Sequence, residues 1–198
     1  MKLRSEYAEI ERNTLETQIK MAINFSEFAK KGLDGTSGVG FFDHMLNSFA
    51  IHAGFSLKLE MSGDLNVDCH HTIEDVGICL GKCLGEIVQK NKPITRYGTS
   101  YIPMDEALAR SVIDISGRPY LVCNYAAKAP MVGDFDTQMV PEFFRAIAFN
   151  MNSTLHIEVL YAQNDHHAIE AIFKAVAHSF KQAIEPLDGE TLSAKGVL

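Results

Sequence analysis

The chain has no CxxC pair, no apolar run long enough to span a bilayer and no excess of positive charge. Each absence removes a class of protein. The four cysteines are Cys69, Cys79, Cys83 and Cys123, and Cys79 and Cys83 stand one helical turn apart, as core residues do. Free thiols fit a reducing cytoplasm. The opening Met1-Lys2-Leu3-Arg4-Ser5-Glu6-Tyr7 lacks the apolar stretch of a signal peptide, and no segment reads as a transmembrane helix. A cytoplasmic location is therefore expected. The formal net charge of −7 argues against nucleic acid or an anionic membrane as partner. The Gly-rich stretch Leu33–Gly40 is not followed by the Gly-Lys-Ser/Thr of a phosphate loop, and reads as a turn into a helix. No segment is of low complexity. The 198 residues suffice for one large domain or two fused modules with a real core.

What the chain does have is one motif twice. His70-His71-Thr72-Ile73-Glu74 and His166-His167-Ala168-Ile169-Glu170 both read HHxIE, and both open an apolar helical stretch. Positions i and i+4 share a helix face, so His70 can converge with Glu74 and His166 with Glu170. His71 and His167 are rotated from their neighbours by about 100°. One ion cannot readily take both adjacent histidines and the Glu. Each cluster therefore gives His plus Glu to one ion and its second His to another. Mixed imidazole and carboxylate ligands suit Mn, Fe or Zn. Cys69 beside His70 is not read as a ligand, because its counterpart in the second copy is Asp165.

The duplication extends upstream. Ser56–Glu60 and Thr154–Glu158 alternate alike as strands. Thirteen residues before Leu57 and before Leu155 stand His44 and Glu142, and the apolar positions between agree without a gap. His44 and Glu142 thus occupy equivalent places and are both metal-ligand types. The rest follows an α/β rhythm. Strands are expected over Thr17–Phe25, Ser111–Ile115, Ser56–Met61 and Thr154–Tyr161. Helices are expected over Gly38–His52, Pro141–Met151, His70–Lys90 and His166–Ile184. Gly133-Asp134-Phe135-Asp136 reads as loop. The expected fold is α+β: two similar α/β modules, each a mixed sheet covered by helices on one face. Residues 1–92 form the first repeat and 93–198 the second, joined at Pro93 into one compact unit with a C-terminal substrate-binding tail.

Arg96 in Thr95-Arg96-Tyr97-Gly98, Arg118 in Ser116-Gly117-Arg118-Pro119 and Lys195 near the C-terminus suggest an anion site. An arginine beside Gly at a strand end is placed to clamp a phosphate bidentately.

Six segments together resemble one family: Phe42–Leu46, Asp68–Asp75, Asp105–Ala107, Ser116–Tyr120, Asn164–Ala171 and Ser193–Leu198. The family is imidazoleglycerol-phosphate dehydratase, of histidine biosynthesis, and the likeness runs from about Arg12 to the C-terminus. The resemblance implies the single-function form, without a fused phosphatase. It also implies two Mn(II) per subunit, other divalent transition metals being possible. One ion is then held by His44, His71, His166 and Glu170, and the other by His70, Glu74, His167 and the residue at 142. Many members carry His where this chain has Glu142, and Glu also ligates Mn(II).

The resemblance places Glu16 by the substrate as general acid/base, with His44, His71 and His166 in the catalytic set. Arg96, Arg118, Ser193 and Lys195 hold the phosphate, and His52 and Lys174 complete the substrate-binding candidates. It further implies a homo-oligomer of 24 subunits built from trimers, with sites completed across subunit boundaries. The reaction removes water from D-erythro-imidazole glycerol phosphate to give imidazole acetol phosphate. No carbonyl activates the lost hydrogen. A metal-bound imidazolate would expel hydroxide to a diazafulvene-like species, after which a carboxylate takes the side-chain proton. A dinuclear metallohydrolase and a non-catalytic metal-storage shell are the other readings of the same ligands, and ketone formation from this substrate separates them.

Overall fold

A computed structural model describes residues 3–193. The first half runs β1 (Tyr7–Asn13), β2 (Thr17–Asn24), β3 (Gly32–Gly35), α1 (Gly40–Ala53), β4 (Ser56–Gly63) and α2 (His70–Asn91). The second runs β5 (Tyr97–Met104), β6 (Ala107–Asp114), β7 (Tyr120–Asn124), β8 (Met131–Val132), β9 (Phe135–Asp136), α3 (Met139–Asn150), β10 (Thr154–Tyr161) and α4 (Asp165–Ala183). The sheet orders β1-β2-β4-β3 and β5-β6-β10-β7 are the same arrangement twice. The outer strand, β3 or β7, is parallel to its neighbour and the rest is antiparallel. The fold is thus the expected mixed α/β duplication.

Register matches as well as order. Tyr7 faces Asn24 and Asn24 faces Ser56, where Tyr97 faces Asp114 and Asp114 faces Thr154. Alternation explains the central strands. Ile19, Met21, Ile23, Leu57 and Leu59 point into the core while Lys20, Lys58 and Glu60 point out. Each long helix lies on the antiparallel pair of its own sheet, α2 on β1 and β2, α4 on β5 and β6. The helices then pair across the halves, α2 with α3 and α1 with α4, and the apolar residues of both halves form one cluster. α2 and α3 approach closely: a Cβ on Gly81 would lie 2.8 Å from the Ile147 carbonyl oxygen.

The expected helices and the strands at 17–24, 56–63, 107–114 and 154–161 are present, within two or three residues at most ends and with the strand at 111–115 starting four residues earlier. Two expectations need correction. Gly133–Asp136 is not plain loop: β8 and β9 form a short ribbon turning at Gly133 (φ 60°) and Asp134. Leu33–Gly40 is not turn alone, because β3 runs to Gly35, where φ is 122° and a Cβ would sit 1.9 Å from the Leu59 carbonyl oxygen. Strands β1 and β5 escape the alternation reading because as edge strands they expose one face and half-expose the other.

Candidate metal centre and active site

Helix α1 carries His44, and its start is held from the other half. The backbone amides of Gly40 and Phe41 donate to the Asp134 carboxylate at 2.6 and 3.0 Å, so the β8–β9 turn supplies the missing cap. Burial pushes the Asp134 carboxyl up, but these amides hold it below its usual value. Helices α2 and α4 begin alike. The His70 amide donates to Asp68 Oδ1 (2.7 Å), and the His166 amide to Asn164 Oδ1 (2.8 Å). Asn164 is thereby the N-cap of α4, whereas Asp68 precedes the α2 N-cap, Cys69, by one residue.

His44, His166 and Glu170 converge. One ligand atom from each lies within 4.8 Å of the others, the one such group among the described residues. Glu170 Oε2 is 3.6 Å from His44 Nε2 and 3.3 Å from His166 Nε2. Donors about 2.1 Å from a common ion sit about 3–3.5 Å apart. Two imidazoles and a carboxylate at this spacing fit a divalent transition metal. Phe41 packs edge-on against the His166 ring at 5.0 Å. Glu170 is buried, and Lys174 Nζ reaches its other oxygen at 2.7 Å. Burial alone raises the Glu170 carboxyl, but Lys174, then His44 and His166, bring it below its usual value.

The remaining predicted ligands lie elsewhere in the chain. His71 Nδ1 donates to Asp64 Oδ2 at 2.9 Å, and its Nε2 is 3.8 Å from Glu16 Oε1. His167 Nδ1 donates to Glu106 Oε2 at 2.7 Å, and its Nε2 is 3.8 Å from Asp105 Oδ2. These hydrogen bonds raise both histidines above their usual value. The His167 contact, helped by backbone amides, holds Glu106 at about 2. His70 and Glu142 line one cavity of about 590 Å³ with Asp68, Cys69, Asp134 and Gln138. Glu142 Oε2 accepts from Arg145 Nη1 at 2.5 Å on its own helix. His70, Glu74 and Glu142 do not converge as His44, His166 and Glu170 do, and His71 lies outside that triad. Cys69 is half-buried, and burial raises its thiol.

The anion candidates divide. Arg96 is buried and engaged, with Nε and Nη2 on Asp114 (2.7 and 3.2 Å) and Nη1 on the Leu192 carbonyl (2.6 Å). It pins the segment carrying Ser193. Arg118 is exposed, with Nη2 3.7 Å from Asp114. Lys195 lies outside the described residues. His52 Nδ1 and His178 Nε2 are 3.1 Å apart between α1 and α4. Sequence reasoning assigns no role to Asp64, Asp105, Glu106 or Arg145. A signal for Glu106 exists: the hairpins β1–β2 and β5–β6 match in register, so Glu106 stands where Glu16 stands.

A model of the family described as imidazoleglycerol-phosphate dehydratase matches residues 37–180. Imidazoleglycerol-phosphate dehydratase of Clostridium botulinum is 48% identical over 199 residues, covering 99% of this chain and 100% of the relative. That of Bacillus thuringiensis is 51% identical over 174 residues, covering 88% and 89%. The crystal structure of the Staphylococcus aureus enzyme has a TM-score of 0.83 at 42% identity, covering 91% of this chain and 99% of that one. The Pyrococcus furiosus enzyme, solved in complex with (S)-C348, has 0.83 at 33%, covering 96% and 100%. A matching family model over most of the chain, full-length relatives and two structures of the same fold agree: the chain belongs to the imidazoleglycerol-phosphate dehydratase family, carbon–oxygen hydro-lyases of histidine biosynthesis that act on a phosphorylated imidazole.

Proposed function

We propose that this chain dehydrates D-erythro-imidazole glycerol phosphate to imidazole acetol phosphate at a dimanganese centre. The observation that carries the reading is the convergence of His44, His166 and Glu170, with His71 held elsewhere by Asp64. Three donors meet in one chain and the fourth does not, so a second copy supplies it. His44, His166, Glu170 and a neighbouring copy's His71 hold one ion, and His70, Glu74, Glu142 and His167 share the other. Bound divalent ions would supply Lewis acidity that lowers the pKa of a coordinated imidazole.

The chain's own residues do the rest. Glu16 stands at a hairpin tip with its side chain 53% exposed and His71 beside it, and it takes the proton from the substrate's side-chain carbon. Lys174 orients Glu170. Arg118 and Lys195 meet the phosphate as cations. Arg96 acts mainly by anchoring the segment that carries Ser193, and His52 lines the substrate's approach. Leu15 is fully exposed beside Glu16, and Val67 is exposed in the loop before His70. Apolar residues flanking incomplete sites support burial between copies, in an assembly of 24 subunits built from trimers, in the cytoplasm. No helix among the described residues is long and apolar enough to cross a membrane.

Exhaustive chelation should abolish ketone formation and shrink the particle by light scattering, and Mn(II) should restore both. Full turnover by demetallated protein would overturn the metal-centred reading.

A further inference from the structure

Two carboxylates outside the proposed ligand set grip two site histidines by the same atom. Asp64 takes His71 Nδ1–H and Glu106 takes His167 Nδ1–H. An ionised carboxylate can only accept, so each ring in its neutral form keeps its proton on Nδ1 and carries its lone pair on Nε2, at the opposite edge.

The two carboxylates are not counterparts in the repeat. Glu106 is the second residue of the β5–β6 turn, and its counterpart in the β1–β2 turn is Glu16. Glu16 lies on the Nε2 side of His71, not the Nδ1 side. Asp64 opens the β4–α2 connection, which holds residues 64–69, whereas the β10–α4 connection holds only 162–164. The same contact to the same ring atom therefore arises from two unrelated positions. Inheritance from one ancestral half does not account for it, whereas a shared demand on the two rings does.

We propose that Asp64 and Glu106 are positioning residues that lock His71 and His167 as Nδ1–H tautomers, so that each offers Nε2 to a metal ion. The inference rests on the metal-centred reading above. It also gives a reason for the longer β4–α2 connection. By supplying Asp64 as the orienting group, it leaves Glu16 off the Nδ1 edge of His71, on the Nε2 side and half-exposed at the tip, while its counterpart Glu106 is spent on His167.

Glu106 permits a sharp test. Its Oε1 accepts the backbone amides of Gln163 (3.1 Å) and Asn164 (2.8 Å), while Oε2 faces His167. In Glu106→Gln the amide oxygen must stay on the two backbone N–H groups, which turns the NH2 toward Nδ1. The ring must then accept there and carry its proton on Nε2, the wrong edge. Asp64 lacks this constraint, since its Oδ1 is buried with no hydrogen-bond partner. The side-chain amide introduced by Asp64→Asn can turn its oxygen to the ring, so this change should be milder than Asp64→Ala.

The experiment is Mn(II) titration of chelated, full-length protein, with free Mn(II) read by electron paramagnetic resonance and the melting temperature of the metal-free protein as control. Glu106→Gln should melt like wild type yet bind one of its two ions about 10–100-fold more weakly. Adding it to His167→Ala should cause no further loss. If Glu106→Gln binds both ions as wild type does while Glu106→Ala does not, Glu106 is a loop anchor only and the proposal fails. If wild type itself takes up fewer than two ions, the metal-centred reading fails instead.

Discussion

The two halves share a fold to the residue in their hairpins, yet they attach those hairpins to their helices by opposite chemistry. In the first half Arg12 and Thr17 of the hairpin grip Asp75 on α2. Arg12 Nε and Nη2 lie 2.9 and 2.8 Å from Asp75 Oδ1, and the Thr17 hydroxyl donates to Oδ2 at 2.5 Å. By strand register and distance from the HH pair, the counterparts are Ile102, Ala107 and Ala171, of which the two alanines are buried and Ile102 partly buried. One position pair thus carries an ion pair in one copy, buried at Asp75 and partly exposed at Arg12, and apolar residues in the other. A buried ion pair gives little net stability over well-packed apolar residues, so duplicates are free to differ there. The tips these junctions support have also diverged: Glu16 stands 3.8 Å from His71 Nε2, whereas Glu106 is hydrogen-bonded to His167 Nδ1.

The largest effect should come from the tips. Glu16→Gln should lower turnover about 10² to 10⁴-fold while leaving substrate affinity largely intact. Single-turnover kinetics and binding measured on the variant check this, and near-normal turnover would reduce Glu16 to a binding residue.

The junctions should differ next. Asp75→Ala strands Arg12 and should cost about 3 kcal/mol, the low end for a broken buried pair because the Arg12 side chain is 30% exposed. The triple change Arg12→Ile, Thr17→Ala, Asp75→Ala copies the second half and should return stability to within about 1 kcal/mol of wild type. Denaturant unfolding of the metal-free proteins decides. A triple variant as unstable as the single one would break the equivalence of the two junctions.

The helix anchors come third. His44 faces Glu170, whereas its counterpart Glu142 is paired with Arg145. Glu142→His makes the second anchor a copy of the first and should keep two ions per subunit. Glu142→Ala should weaken one ion, about 10–100-fold if Glu142 binds directly. Metal content after gel filtration reads this out, and two tightly held ions in the Ala variant would remove Glu142 from the ligand set.

The smallest effect concerns pH. His52 and His178 meet between α1 and α4, where the paired helices α3 and α2 carry Asn150 and Lys82 at the matching positions. Burial first, then the charge of His178 and of Lys174, depress His52. Burial and Lys181 depress His178. Folded values below the unfolded value of about 6.5 mean that the unfolded chain binds more protons below that pH. The stability is fully present above about pH 6.5 and is lost as pH falls toward the folded values. His52→Asn should flatten the decline in melting temperature between about pH 7 and 5.5. An unchanged slope would show that the pair does not titrate as described.

The sequence alone determined the duplication, because a repeated HHxIE and a fixed distance from anchor to strand survive as pattern whatever the packing. It determined the four main helices and the central strands, whose faces are buried on one side and whose periodicity is therefore regular. It also named the triad residues His44, His166 and Glu170. What it did not determine was which ligand-type residues meet. His44 and His166 come from opposite halves and are brought together because α1 packs on α4, a contact between faces that neither segment encodes separately. Glu142 looks equivalent to His44 in sequence, but a neighbouring arginine captures its carboxylate. Arg96 reads as a phosphate clamp, yet the fold sets Asp114 and the Leu192 carbonyl around it. Asp64 lies in no motif, and Glu106 lies in one that assigns it no role. Their roles exist only because a loop and a hairpin tip end within about 3 Å of an imidazole nitrogen, a distance set by tertiary packing.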